Sequence, residues 1–284
     1  MSTTTAIAPA AEAEELPVRT IEPVKRRVPL ADIVRSRRVA RLIAIRDLKI
    51  KYKQSLVGPP WLIIQPLGIL IALVVAFNGV TKVSTGGVPY AIFAIVGLVV
   101  WQLINMTILN GTLGLQQNGQ LIRRVASPRV AFITGALLSN LIAPAVIVVG
   151  AIAWILASGR SLPIQALLFP LVLVWTAVMT FGVLLILASL AIRWRDVNSM
   201  LPFWSSIGPF ITPVGYGYDS APPHVATLLA INPFTGVLEA ARWSLLDLHL
   251  PLLPMVTASV WTVVLLVAGW RVFTRMETRF ADWV

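Results

Sequence analysis

Six stretches of this chain contain no Asp, Glu, Lys or Arg: residues 54–81, 83–122, 130–159, 161–192, 197–218 and 250–270. A bilayer core about 30 Å thick is crossed by roughly 20 apolar residues of helix, and every one of these stretches is long enough. In lipid each backbone N–H and C=O must be satisfied internally, which leaves helices and closed barrels as spanning structures. The runs are continuously apolar, without the in/out alternation of a barrel strand. The sequence therefore predicts an all-α membrane protein with six transmembrane helices, at about 62–80, 90–109, 130–157, 164–192, 198–217 and 253–272. Composition agrees: 12% of residues are charged, against about 25% in a soluble domain.

The charges that remain are one-sided. Cytoplasmic loops of membrane proteins carry the excess of Lys and Arg. With the N-terminus inside, residues 1–61 supply twelve basic residues, the loop between spans 2 and 3 three (Arg123, Arg124, Arg129), the loop between spans 4 and 5 two (Arg193, Arg195) and the tail three (Arg271, Arg275, Arg279). Only Lys82, Arg160 and Arg242 fall on the other side. This split predicts that both termini are cytoplasmic. It also accounts for the net charge of +11 without nucleic acid, because basic residues beside a membrane face are attracted to anionic lipid.

Between the spans, four segments stand out. Residues 1–30 are rich in Ala, Thr, Glu and Pro, read as a disordered tail, and show no basic start followed by an apolar core that would mark a signal peptide. Residues 31–55 contain no Gly or Pro and read as an interfacial helix, with Leu42, Ile45, Leu48 and Tyr52 on one face and long basic side chains able to snorkel. Gly58-Pro59-Pro60 must end that helix, and Trp61 suits the membrane boundary at the start of span 1. In the 2–3 loop, Leu121, Ile122 and Val125 form a short amphipathic turn with Arg123 and Arg124 on its wet side, stopped by Pro128. Between spans 5 and 6, two apolar pieces, 224–231 and 233–247, are divided by Asn232-Pro233, where Asn is a good N-cap and Pro fits the first helical position. Each is too short to cross, so the pair reads as re-entrant or interfacial.

Several chemistries are excluded. The chain has no cysteine and two histidines, His224 and His249, so disulfides and thiol chemistry are out and a zinc site lacks ligands. There is no G-x-x-x-x-G-K-[ST] phosphate loop. The apolar spans carry no Asp, Glu, Lys, Arg or His, whereas proton- and ion-coupled transporters usually carry such groups at mid-membrane. What remains is a membrane helix bundle with no energy source of its own.

Four stretches carry a resemblance. "RDLKIKYKQSLVGPPWLIIQPL" before span 1 looks like R-D-x-K-x-[RK]-Y-[KR]-x-S-x-L-G-x-x-W, with Leu56-Val57-Gly58 as a small departure. "LIRRVASPR" lies in the 2–3 loop, "RWRDVNSMLPFW" leads into span 5, and "INPFTGVLEAARWSLL" lies between spans 5 and 6. Together, from about residue 35 to the C-terminus, they resemble the permease of type-2 ABC exporters, in the branch that moves O-antigen, teichoic acid and related polysaccharides. The resemblance implies a single permease domain over 31–284, in a homodimer that meets two cytoplasmic ATPase subunits in the bacterial cytoplasmic membrane. ATP and Mg would be bound by the ATPase, so the chain carries no cofactor and is not an enzyme by itself. The exported substrate would be a lipid-linked polysaccharide. Export of a drug or small lipid is the alternative within this class. A membrane-embedded glycosyl- or acyltransferase is the alternative outside it, and it lacks an acidic or histidine constellation here.

Site expectations follow. The resemblance makes the basic segment with Arg46 and Lys49 an interface with the ATPase. It makes the 2–3 loop, with Gln120, Leu121, Arg123 and Arg124, the coupling element; without the resemblance, both arginines read first as topology residues. It makes the helices at about 224–247 an outer gate, latched by Glu239 and Arg242. As an exposed pair these two would contribute about 0–1 kcal/mol, and a structural role stands beside the gating one. Sugar rings expose C–H faces that pack on aromatic rings, and a sliding polymer needs many weak contacts. Phe77, Trp101, Phe203, Trp204 and Phe210 are the candidates for a substrate path, against ordinary packing with lipid or neighbours. Asn78, Gln102, Asn105, Ser205 and Ser206 add hydrogen-bonding groups at similar depths.

Overall fold

Apolar runs flanked by Pro and Gly become helices, and the computed structural model contains helices and turns but no strand among the residues it describes, which are 34, 36–53, 58, 60–80, 83–118 and 128–277. The side chains of Tyr52 and of residues 78–80, Asn78 included, lie outside that description, as do the N-terminal tail and the coupling positions Gln120, Leu121, Arg123 and Arg124. In chain order the helices are α1 (Arg37–Tyr52), α2 (Trp61–Leu73, continued by a π-helical segment Val74–Val80), α3 (Tyr90–Gln117), α4 (Val130–Asn140), α5 (Ile142–Ala157), α6 (Phe169–Arg193, preceded by a 3₁₀ segment Ile164–Leu168), α7 (Asp196–Ile211), α8 (Pro223–Ile231), α9 (Thr235–Leu246) and α10 (Leu252–Glu277).

Among the described residues, four rods are long and apolar enough to cross a membrane: α3, α4 continued by α5, the 3₁₀ segment with α6, and α10. Helix α2 is shorter, and α7 has 16 residues. Helix α3 is the centre: 89% of its most apolar stretch is buried, against 17% for α10. It packs on α2, α4, α5, α6, α7 and α9. Helices α6 and α10 approach closely, and glycines face each other there. A Cβ on Gly182 would lie 2.7 Å from the Leu265 carbonyl carbon, and one on Gly269 would overlap the Gly182 carbonyl oxygen. Small residues that let backbones touch are the usual device for joining helices in lipid, where no hydrophobic force acts between them.

Side-chain contacts sort the helix ends into two groups. At one end Gln116 donates to the Ala191 carbonyl, Asn198 Nδ2 donates to Gln116 Oε1 at 2.9 Å, and the Arg129 N–H donates to Glu277 Oε1 at 3.3 Å. Helix α1 joins this end through Arg46, which donates to Asn118 Oδ1. At the opposite end Arg160 Nη2 donates to the Gly87 carbonyl at 2.8 Å, Gln165 Nε2 donates to Asp247 Oδ1 at 2.7 Å, and His249 Nδ1 sits 3.1 Å from Asp219 Oδ2. The described basic residues of α1, Arg129, Arg193 and Arg195 thus share one end with the last turn of α10.

The structure corrects several boundaries. Span 5 was expected to run to residue 217, but α7 stops at Ile211. Thr212 is extended (φ −101°, ψ 134°), as a residue before proline tends to be, and Pro213 follows. Span 2 extends to Gln117, two turns beyond the expected 109. The described helix α1 covers Arg37–Tyr52, and the ends of the expected 31–55 lie outside the described residues; Ala40, Ile43 and Ala44, with Ser36 just before the helix, are buried against α4, where Gly135 admits Ile43. The expected apolar face, Leu42 and Ile45, is exposed at 67% and 40%. The small Ala40 and Ala44, and Gly135 opposite Ile43, allow the close approach that selects this face.

Candidate functional site

The segment from Thr212 to Tyr218 is not regular helix, so its carbonyls need partners from elsewhere. Arg242 on α9 supplies them. Its Nη2 donates to the carbonyls of Pro213 (2.7 Å) and Val214 (2.8 Å), and its Nη1 donates to the Tyr216 carbonyl (3.0 Å) and to Glu239 Oε1 (2.8 Å). Glu239 Oε1 also accepts the Tyr218 N–H at 3.0 Å. The Phe93 ring lies 4.0 Å from the guanidinium carbon, a cation–π contact. Tyr90, at the start of α3, donates its hydroxyl to the Gly215 carbonyl at 2.7 Å. Arg242 is fully buried and Glu239 is 5% exposed. The pair is therefore not the exposed latch expected from i,i+3 spacing. It is a buried clamp that fastens the end of α7 to α3 and α9. Burial pushes the guanidinium pKa down, and Glu239 beside it pushes it back up.

A local turn leads into this clamp. Asn232 Oδ1 accepts the Phe234 N–H at 2.9 Å, and Asn232 Nδ2 reaches back to the Ile211 carbonyl at 3.1 Å. The expected asparagine N-cap with proline in the first turn is not formed: regular helix starts at Thr235 with Phe234 at the capping position and no side-chain cap, and the Asn232 bond closes a turn just before it. Helix α9 ends at Asp247 in the left-handed region (φ 55°), a common way to close a helix.

Helix α7 presents two unlike faces. Phe203 and Phe210 are 66% and 61% exposed, and exposed Ser206 lies between them, so the seven-residue spacing does place both rings on one open face. The other face, Leu201, Trp204, Ser205 and Gly208, meets α3. There Trp204 packs on Trp101 with ring centroids 5.4 Å apart and on Phe234 at 6.0 Å. A Cβ on Gly208 would overlap the Trp101 ring. Trp101 is 2% exposed and lies behind α7 in the core, so it does not line an open surface as expected. The unbroken apolar run before it, 91–100, leaves no period by which the sequence could have shown this, and Gln102 and Asn105 after it are buried as well.

Phe77, in the π-helical continuation of α2, stacks on Tyr216 at 6.1 Å, and Tyr216 donates its hydroxyl to the Phe210 carbonyl at 2.7 Å. Phe77 and Phe210 are thus brought to one end of the molecule through Tyr216, a residue the sequence reading passed over. The sequence signal for it is the "GYGY" run at 215–218. At the other end, Arg46 Nη2 pairs with Asp47 Oδ1 at 2.7 Å and also reaches Asn118. Asn118 Nδ2 caps α3 by donating to the Gly114 carbonyl at 2.7 Å. Lys49 is exposed on α1.

Comparison with known proteins bears on both ends. Residues 39–246 match the profile of the family described as ABC-2 type transporter. The O-antigen export system permease protein RfbA of Klebsiella pneumoniae is 24% identical over 247 residues, covering 85% of this chain and 93% of that protein. The protein of the same name from Myxococcus xanthus is 24% identical over 247 residues, covering 84% and 92%.

Proposed function

This chain belongs to the ABC-2 type transporter family, and on that premise we propose that it is the permease subunit that exports a lipid-linked polysaccharide, driven by a separate ATPase. The relatives named as O-antigen export permeases support the substrate class. The observation that carries the reading is the two-faced helix α7. One face is locked to α3 by Trp204 and Gly208, and the other presents Phe203, Ser206 and Phe210 to the outside of the chain.

In this reading α2 and α7 cross the membrane with the four long rods. Six spans then place both termini, α1 and the loops holding Arg129, Arg193 and Arg195 in the cytoplasm. Helices α8 and α9 sit at the outer end without crossing. Two copies face each other around a path lined by Phe77, Phe203 and Phe210, with Trp204 and Trp101 as the wall behind. The ATPase pair docks at the α1 end, where Arg46 and Lys49 and the 2–3 loop with Gln120, Leu121, Arg123 and Arg124 transmit its motion. The Arg46 tie to Asn118 supports this, because it joins α1 to the last turn of α3 immediately before that loop.

Weak ring-face contacts hold a chain without trapping it. Base–aromatic stacking is worth ~1–3 kcal/mol per contact, and sugar stacking falls at or below the lower end. The test is surface polysaccharide in cells lacking their own permease and carrying this chain with its ATPase at matched expression. Replacing Phe203 and Phe210 together by Ala should cut display severalfold, while replacing both by Trp should keep most of it. Parental display by the Ala pair would show that the rings only pack. Normal export of a small lipid without any polysaccharide would favour the alternative substrate.

A further inference from the structure

The α3–α7 contact is lined by polar atoms as well as rings. Asn105 Nδ2 donates to Ser205 Oγ at 3.0 Å, and Asn198 Nδ2 donates to Gln116 Oε1 at 2.9 Å. Beside these bonds, Gln102 Oε1, Asn105 Oδ1, Trp204 Nε1 and Asn198 Oδ1 are buried with no partner among the described residues. Gln102 is 3% exposed and Asn105 5%. Along α3 the contacts with α7 run from Trp101 against Trp204, through Asn105 against Ser205, to Gln116 against Asn198, and Gln102 stands one turn before Asn105 on α3.

A buried polar atom without a partner is destabilising, and in a membrane there is no bulk water to relieve it. A seam made only to stay shut would carry leucine at position 102. Along its length the helix on one side of this seam is held to α3 by Trp204 and Gly208 against Trp101 and by the Ser205 and Asn198 hydrogen bonds. Helix α7 contains Pro202 and Pro209, each of which removes a backbone donor and weakens the rod. Its outward face is open, and its C-terminal side is fastened through the Arg242 clamp on Pro213, Val214 and Tyr216.

We propose that the α3–α7 seam is a hydroxyl-binding row, closed in this structure, which opens when α7 swings away from α3 about its two prolines while the Arg242 clamp holds. The opened row presents Gln102 and Asn105, each an acceptor and a donor, and the Trp204 indole N–H, a donor. That set suits the hydroxyls of a passing glycan and gives nothing to an acyl chain. It deepens the polysaccharide reading above and depends on it for the ligand. A substrate that pairs these atoms binds the open state better than the closed one, and that difference shifts the population toward opening.

The chain has no cysteine, so a single Gln102→Cys reports on the seam without background. In the complex with its ATPase, reaction of that cysteine with a small thiol reagent should speed up severalfold when ATP is turned over. An equal rate with and without ATP overturns the opening. The second variant is Gln102→Leu, which removes an unpaired acceptor and keeps the packing. Its thermal stability should equal or exceed the parent's, while polysaccharide display falls severalfold. Full display by Gln102→Leu overturns the hydroxyl-binding role even where the seam opens. If the parent chain itself fails to restore polysaccharide display, the substrate reading above is wrong, and the cysteine rate still decides whether the seam moves.

Discussion

Arg242→Met tests the clamp most directly. Methionine keeps an unbranched apolar stem and removes the guanidinium. Three carbonyls, those of Pro213, Val214 and Tyr216, lose their donor. At about 0.6 kcal/mol for an average side-chain hydrogen bond inside a membrane protein, this is roughly 2 kcal/mol. Glu239 is the larger matter. It is 5% exposed and keeps only the Tyr218 N–H once its cation is gone. Removing one partner of a buried ion pair costs ~3–5 kcal/mol, because the other charge is stranded. The stranded carboxylate therefore outweighs the lost carbonyl bonds. Two consequences separate this account from simple packing. Arg242→Met should lower the unfolding midpoint of the purified protein in detergent by on the order of 10 °C, taking about 2–4 °C per kcal/mol for a chain of this class of size. Adding Glu239→Gln should recover more than half of that loss, since the stranded charge is gone and roughly 2 kcal/mol of carbonyl bonding is all that remains missing. Trp fluorescence during heating, in one detergent at one protein concentration, reads both. A single variant within about 3 °C of the parent, or a double variant less stable than the single one, would refute the clamp as the fastening of α7.

Two further outcomes are expected. Gly208→Ala should destabilise the protein by ~1–3 kcal/mol, the usual cost of overpacking, since a Cβ there overlaps the Trp101 ring; a midpoint equal to the parent's would mean that α7 already stands off α3. Cysteines placed singly at Ser220 and His249 should both react with an impermeant thiol reagent added from outside intact cells, because both positions lie at the end opposite α1; labelling of one alone would mean that 224–247 crosses the membrane.

Some of this molecule is legible in the sequence for a plain reason. A charged residue cannot be left in hydrocarbon, so charge-free length alone predicts the rods α3, α4 with α5, α6 and α10, and the grouping of Lys and Arg predicts which helix ends lie together. Local signals were less legible: Pro213 ends the helix before it, while the apolar run carried the expected span on to 217, and Asn232 closes a turn instead of capping α9. Neighbours decided the rest. A run that is apolar all round has no polar face to mark its orientation, so the stretch before Trp101 does not distinguish a core ring from a path-lining one, and the glycine opposite, Gly208, settles it. Helix α1 has two apolar stripes, and the close fit of Ala40 and Ile43 against Gly135 chose one and left Leu42 and Ile45 outside. Glu239 and Arg242 are three apart in sequence, and the pairing was readable. That the pair is buried was not, because the carbonyls that need Arg242 lie 26 to 29 residues earlier and come within reach only when the chain after α7 folds back over α3.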